Sequence, residues 1–317
     1  MKRSLIKAIA LATGVAVMAA LAGCGDGAKQ QYFNIGTGGT AGTYYPLGGA
    51  ISEIINKNIP GANASTESTG ASVANINMLK DHAIDMAFVQ NDIAYYAANG
   101  IEMFEGKKVD SIRGIATLYP ETIQLVTLEK NGIGTLADLR GKRVAVGAPG
   151  SGAEANARQI LQAAGLTYDD IEVQYLSFGE ASGALKDGNV DAAFVTAGFP
   201  TAAVQDVSAT QPITLVALDD ATADALVAQY PYYTKTVIPA GTYDGVTSDV
   251  ATVSVMAMIV ATDKLTDEQG YNITKAIFAN LDRIAAAHAV GKLISKEGAM
   301  KGMPLTMNAG AEKALKE

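Results

Sequence analysis

The sequence predicts an α/β protein of two lobes, each a mixed sheet flanked by helices, with two strands crossing between them. Three observations carry this. Short apolar strands alternate with helices along the chain, the pattern of strand–helix–strand units. Two pieces of the chain repeat: Leu79-Lys80-Asp81-His82-Ala83-Ile84-Asp85-Met86-Ala87-Phe88-Val89 matches Leu185-Lys186-Asp187-Gly188-Asn189-Val190-Asp191-Ala192-Ala193-Phe194-Val195, seven of the eleven pairs being identical. Two extended runs, Ile123–Leu128 and Ala251–Thr262, fall outside the repeat and read as the crossing strands. The first lobe is then residues 32–121 with 263–317, and the second is residues 122–262.

The chain opens with a targeting segment. Lys2, Arg3 and Lys7 form a basic start, and Leu5 to Ala22 is apolar and small. Leu21-Ala22-Gly23-Cys24 follows, which resembles a bacterial lipoprotein signal over residues 1–23, with Cys24 as the lipidated first residue and residues 24–31 as a polar tether. Cys24 is the only cysteine, so lipidation leaves no thiol for a disulfide, a metal or a nucleophile. The chain is 317 residues long with a formal net charge of −8, and removal of three cationic and no acidic residues gives −8 − 3 = −11. An acidic chain does not suit nucleic acid, which needs a basic face.

The elements follow in order. Tyr32–Ile35 is a short strand. The glycine-rich turn Gly36-Thr37-Gly38-Gly39-Thr40-Ala41-Gly42 leads from it to a helix with Thr43 as N-cap and Leu47, Ile51, Ile54 and Ile55 as its apolar stripe. A polar strand, Asn63–Thr69, turns at Gly70-Ala71-Ser72 into a second helix. Asp85–Val89 is a strand ending at Gln90-Asn91-Asp92, and a third helix runs to Asn99. Ile112–Leu118 is another strand, closed by Tyr119-Pro120-Glu121.

The second lobe repeats the plan. Arg143–Gly147 is a strand, Pro149-Gly150-Ser151-Gly152 a turn, and Ser151 with Glu154 a capping box that opens a helix. Ile171–Leu176 is a strand, a helix centres near Ser182, and Asp191–Val195 is the repeated strand. Gln211–Leu218 adds a strand, Asp219 to Pro231 a helix, and Val237–Val246 a loop. Asp267–Ala289 is one long helix, and the tail packs as helices.

Each lobe thus carries a Gly-x-x-Gly-Ser/Thr turn between strand and helix. Such a turn aims free N–H groups and the positive end of a helix dipole at one spot, which suits a carboxylate or phosphate. No lysine follows the glycines, so this is not a nucleotide loop, and no basic residue stands near to balance phosphates. His82 and His288 are the only histidines, and neither has a nucleophile or acid in a recognisable order. No metal-ligand spacing and no cofactor motif appears. The positive evidence is for binding rather than catalysis.

Ile35-Gly36-Thr37-Gly38-Gly39-Thr40-Ala41-Gly42-Thr43-Tyr44-Tyr45-Pro46-Leu47-Gly48-Gly49 resembles the signature of the TAXI family, the solute receptors of one class of TRAP transporters. Thr69-Gly70-Ala71-Ser72, Asp85-Met86-Ala87-Phe88-Val89-Gln90-Asn91-Asp92, Leu118-Tyr119-Pro120-Glu121, Asp138-Leu139-Arg140-Gly141-Lys142-Arg143-Val144 and Gly150-Ser151-Gly152 followed by Asn156-Ala157-Arg158-Gln159 extend the match. Ala41 departs from the glycine common in that family. The resemblance implies a periplasmic-binding-protein-like fold of the type II kind, and a monomer that captures a small organic anion or amino acid. Glutamate, glutamine and 2-oxoglutarate are the first candidates. It also implies a TRAP membrane permease as partner and an extracytoplasmic location. A lipoprotein that senses the solute, or an enzyme on a related two-lobed fold such as a phosphoribosyl transferase or deaminase, is the alternative.

The candidate ligand residues are Gly39, Thr40, Thr43 and Tyr44 of the first turn and Thr69 and Ser72 of the second. Gln90 ends a strand, and Tyr119 and Glu121 sit at the crossing. Ser151, Gly152 and Thr196 come from the second lobe.

Overall fold

The repeated aspartates show how the sequence builds the sheet twice. The Asp85 carboxylate accepts a hydrogen bond from the Asn34 N–H at 2.8 Å, and that of Asp191 accepts one from the Arg143 N–H at 2.9 Å. The same two aspartates donate their own N–H groups back, to the Asn34 and Arg143 carbonyls. Each pair joins the entry of the repeated strand to the strand that precedes a glycine turn. Leu79 with Phe88 and Leu185 with Phe194 are all buried in the core.

The computed structural model describes residues 30–317, so the leader, Cys24 and nearly all of the tether lie outside the described residues. The first half comprises β1 (Gln31–Gly36), α1 (Tyr44–Asn58), β2 (Ala62–Glu67), α2 (Ser72–Lys80), β3 (Met86–Gln90) and α3 (Asn91–Asn99), followed by β4 (Ile112–Leu128). The second comprises β5 (Arg143–Ala145), α4 (Gly152–Ala163), β6 (Glu172–Gln174), α5 (Phe178–Lys186), β7 (Ala192–Ala197), α6 (Ala202–Ser208), β8 (Ile213–Val216), α7 (Asp220–Gln229) and β9 (Thr234–Ile238). The chain returns through β10 (Val250–Thr262) and ends in α8 (Asp267–Phe278), α9 (Leu281–Ala287) and α10 (Ala309–Lys316).

All strands share one sheet, in the order β2-β1-β3-β10-β4-β7-β5-β6, with β8 on β4 and β9 on β10. The order is a pseudo-twofold: the parallel trios β2-β1-β3 and β6-β5-β7 flank the central pair β10 and β4, and β3, β10, β4 and β7 run alternately. This is the predicted mixed α/β architecture. β10 pairs with β3 of one trio over Ala257–Ala261, β4 pairs with β7 of the other over Thr122–Thr127, and the two long strands pair with each other between them. Beside them, α1 buries Leu47, Ile51 and Ile55 with Ile273 and Ile277 of α8, while α4 buries Ile160 and Leu161 in a cluster shared with Ile76 and Ile93 of the first half. At ~1.5–3 kcal/mol for each fully buried aliphatic side chain, these stripes fix the helices to the sheet.

Several local expectations change. Ile112–Leu118 and Ile123–Leu128 are one strand, because Pro120 sits at a bulge in the pairing with β10 and β7 joins β4 only from Thr122 onward. The expected loop Val237–Val246 begins inside β9, an edge strand with exposed side chains. The long C-terminal helix breaks at Asn280, which leaves helical geometry between α8 and α9. Thr43 precedes α1 without capping it, since its hydroxyl donates to the Gly198 carbonyl of the other half at 3.1 Å. Ser151 does cap α4, accepting from the Glu154 N–H, but Glu154 turns its side chain to Tyr168 rather than back to the cap.

Candidate functional site

The carboxyl ends of the two parallel trios face each other across the central strands. Ligands in such sheets bind outside those ends. A cleft of about 560 Å³, part of it open to solvent, lies there. Gly38, Gly39, Gly42, Thr43 and Tyr44 line it after β1, and Thr69, Gly70, Ala71 and Ser72 after β2. Gln90 closes the end of β3. From the other half come Ala148 and Ser151–Ala153 after β5, Ser177 and Phe178 after β6, and Thr196 and Ala197 at the end of β7. Glu121 of β4 lies where the two central strands cross, paired in register with Val255.

Helices α1, α2, α4 and α5 therefore all begin at this cleft. Their dipoles set four positive ends around it, each giving about 0.3–1 kcal/mol to an anion at an exposed surface and up to ~2 when partly buried. The ends are not equivalent. Gly150, at φ +75°, turns its carbonyl onto the first N–H groups of α2, accepting from Val73 and Ala74 at 3.1 Å each. That end is spent on joining the halves. At α4 and α5 the serine caps take only the Glu154 and Glu180 N–H groups, so the N–H groups before them stay aimed at the cleft.

Among the described residues the lining contains no lysine, arginine, histidine or cysteine, and Glu121 is its one carboxylic acid. Glu121 is only 2% exposed. It accepts from the Tyr44 hydroxyl at 2.8 Å and from the Tyr119 hydroxyl at 3.4 Å. Burial, aided by the nearby Asp92 carboxylate and opposed in part by hydrogen bonds from Tyr44, Gln90 and Tyr119, pushes its carboxyl up to about 8. The same burial and the neighbouring carboxylate hold both phenols well above the ordinary tyrosine range.

The sequence candidates fall into three groups. Gly39, Thr43, Tyr44, Thr69, Ser72, Gln90, Glu121, Ser151, Gly152 and Thr196 line the one cleft. Tyr119 is fully buried behind the lining and donates to Glu121. Thr40 is exposed and stands outside it. Among the hydroxyls, Thr43 is bonded to Gly198, Thr69 holds the turn through Asn75 and Ala71, Ser72 accepts from the Gln90 N–H, and Ser151 caps α4. The Thr196 hydroxyl and the Gln90 Oε1 are buried with no partner among the described residues. Ser177 and Phe178 were missed by sequence reasoning, although Ser177 and Glu180 have capping-box spacing and form that box at the start of α5.

Residues 35–317 match the NMT1-like family. Among solved structures, the alkanesulfonate-binding protein SsuA from Xanthomonas axonopodis pv. citri bound to MOPS is similar, with 18% identity, a TM-score of 0.51, and coverage of 91% of this chain and 84% of its own. PhnD1 from Prochlorococcus marinus in complex with methylphosphonate is 13% identical, with a TM-score of 0.53 and coverage of 83% and 88%. A periplasmic transporter protein is 11% identical, with a TM-score of 0.56 and coverage of 92% and 93%. At these identities the likeness carries the fold.

Proposed function

The chain belongs to the NMT1-like family, and from that premise we propose that it is an extracytoplasmic receptor that captures a small organic solute and delivers it to a membrane permease. The observation that carries the reading is the cleft. Four helix N-termini meet there at the carboxyl ends of two sheet halves, and the lining has hydroxyls and free N–H groups but, among the described residues, no nucleophile–base pair. Such a site holds an anionic group by backbone dipoles and needs no arginine. The solute is a carboxylate or an amino acid, with glutamate, glutamine and 2-oxoglutarate the first candidates. The ligand residues are those named above that line the cleft. Residues 32–121 with 263–317 and residues 122–262 act as lobes that close on it.

The motif resemblance favours a TRAP-type permease, driven by an ion gradient, as partner. Cys24 carries the lipid that holds the receptor to the outer face of a bacterial membrane. One uptake experiment tests these statements together. Cells carrying the chain with its permease take up radiolabelled glutamate, glutamine or 2-oxoglutarate, uptake stops when ionophores collapse the ion gradient, and Cys24→Ala releases the receptor from the membrane fraction. Uptake that survives the ionophores and stops on ATP depletion overturns the permease class. Retention of a correctly processed Cys24→Ala protein overturns the anchor.

A further inference from the structure

The backbone donors of the cleft are the N–H ends of α1, α4 and α5. The side-chain acceptors considered next are Gln90, which lies beside Gly152 at the start of α4, Glu121 and Thr196.

The orientation of Gln90 is forced from behind. Tyr233 donates its hydroxyl proton to Gln159 Oε1 at 2.7 Å, so it can only accept from Asn156. The Asn156 amide nitrogen meets that demand at 2.7 Å and also donates to the Asp92 carboxylate at 2.9 Å. Asn156 Oδ1 is thereby turned toward Gln90 and accepts from its Nε2 at 3.0 Å. Two separate acceptors, Tyr233 and Asp92, thus fix the asparagine, and the asparagine fixes the glutamine. Gln90 Oε1 remains as a buried acceptor with no donor among the described residues. Gly152 leaves room for it: a Cβ there would stand 1.6 Å from this oxygen.

Among the described residues Glu121 brings the only carboxyl to the lining, buried beside two phenols and the Gln90 side chain, with no cationic side chain in that lining. Burial favours its protonated form, and an ammonium placed beside it favours the ionised one. The Thr196 hydroxyl, 5% exposed as a residue and unpartnered, completes the set from the opposite half. Three acceptors, one of them acidic, match the three N–H donors of a primary ammonium.

We infer that Glu121, Gln90 and Thr196 form an ammonium subsite, so that the solute is a zwitterion whose anionic end meets the helix N-termini and whose amine meets these three side chains. This rests on the reading of the cleft as the solute site and narrows it. A 2-oxo acid, a plain carboxylate or a plain sulfonate lacks the group that the subsite demands, whereas an amino acid or an amino sulfonate supplies it.

The test compares matched pairs by calorimetric titration of the purified chain: glutamate with glutarate, leucine with 4-methylpentanoate, and taurine with ethanesulfonate. At least one amine member binds, and it binds roughly 100-fold or more tighter than its partner, because a site built to bond an amine is left unpaired by the analogue lacking it. Glu121→Gln and Thr196→Val each reduce that preference about tenfold or more. The second variant keeps the side-chain shape and leaves the buried carboxyl in place, so the test does not depend on folding of the first. Equal binding within every pair, or tighter binding of the amine-free members, overturns the subsite and leaves the receptor reading standing. Binding by no member of any pair overturns both. A preference unchanged in Thr196→Val and in folded Glu121→Gln also overturns the assignment.

Discussion

Glu121 takes hydrogen bonds from two phenols, and no cationic side chain among the described residues lines its cleft, so its ionisation is tied to folding. Burial raises its carboxyl from the ordinary 4.5 to about 8, and that of Asp92 from 3.8 to about 6. Between the unfolded and folded values the native state holds a proton that the unfolded chain releases. Stability from these groups is therefore complete below their ordinary values and declines as pH rises, through about 6 for Asp92 and about 8 for Glu121. His288 acts oppositely. Burial lowers its imidazole below 6.5, which favours the native state as pH rises to that value. The clean quantity is thus the difference between the native chain and Glu121→Gln without added solute. From pH 5 to 8 the native chain should lose melting temperature relative to the variant, with most of the loss above pH 6. Parallel melting curves across that range would show that Glu121 ionises freely in the fold.

At the scale of elements, the aspartate that opens each repeated strand does the same work in both halves. Asp191 accepts from the Arg143 N–H at 2.9 Å and holds its guanidinium through Oδ1 at 2.7 Å and Oδ2 at 3.1 Å. Asp191→Ala removes charge-assisted bonds at a half-exposed site, where about 1.5–3 kcal/mol is the upper range and solvent screening lowers it toward ~1. Urea unfolding should show a loss of that size with solute affinity unchanged, since the pair lies at the entry of β7 and the cleft at its exit. Loss of affinity without loss of stability would mean that the repeat serves the site rather than the sheet. The same repeat made the fold legible in the sequence, because identical residues at Asp85 and Asp191 meet identical backbone positions. The glycine turns were legible for a related reason: a strand, a glycine run and an apolar stripe fix the carboxyl end to which the turn belongs. What sequence could not supply was the partner of each hydroxyl. Thr43 has the composition of a helix cap, and only the approach of Gly198 from the other half decides where its proton goes. The directed chain from Tyr233 through Asn156 to Gln90 likewise joins residues far apart in sequence. Pro120 hid the continuity of β4, since a proline within a run is a strand-breaking signal unless a bulge absorbs it.

Across the whole molecule, several bonds join the two halves. Val73 and Ala74 donate to Gly150, Ala203 donates to Ala41, Thr43 donates to Gly198, Gln159 donates to Tyr96, Arg158 pairs with Glu102, and Asn156 bridges Gln90 and Asp92. Asn156 is fully buried, belongs to α4, and stands outside the cleft lining. It therefore reports on the grip between halves without touching solute. Asn156→Ala removes two bonds across the halves and leaves the Asp92 carboxylate and Gln90 Nε2 without their partner. At about 1 kcal/mol per net hydrogen bond, and more for the bond to a charge, the closed arrangement should lose roughly 2–3 kcal/mol relative to an open one. Apparent affinity scales with the fraction of molecules able to close, so the best-binding amine of the paired series should weaken by about 10- to 100-fold. Small-angle scattering gives the independent readout. The native chain should contract on saturation with that solute, and unliganded Asn156→Ala should be at least as expanded as the unliganded native chain, contracting only at higher solute concentration. An affinity loss with identical scattering profiles in all four states would mean that the halves form one rigid body, and that Asn156 acts solely by turning Gln90 toward the solute.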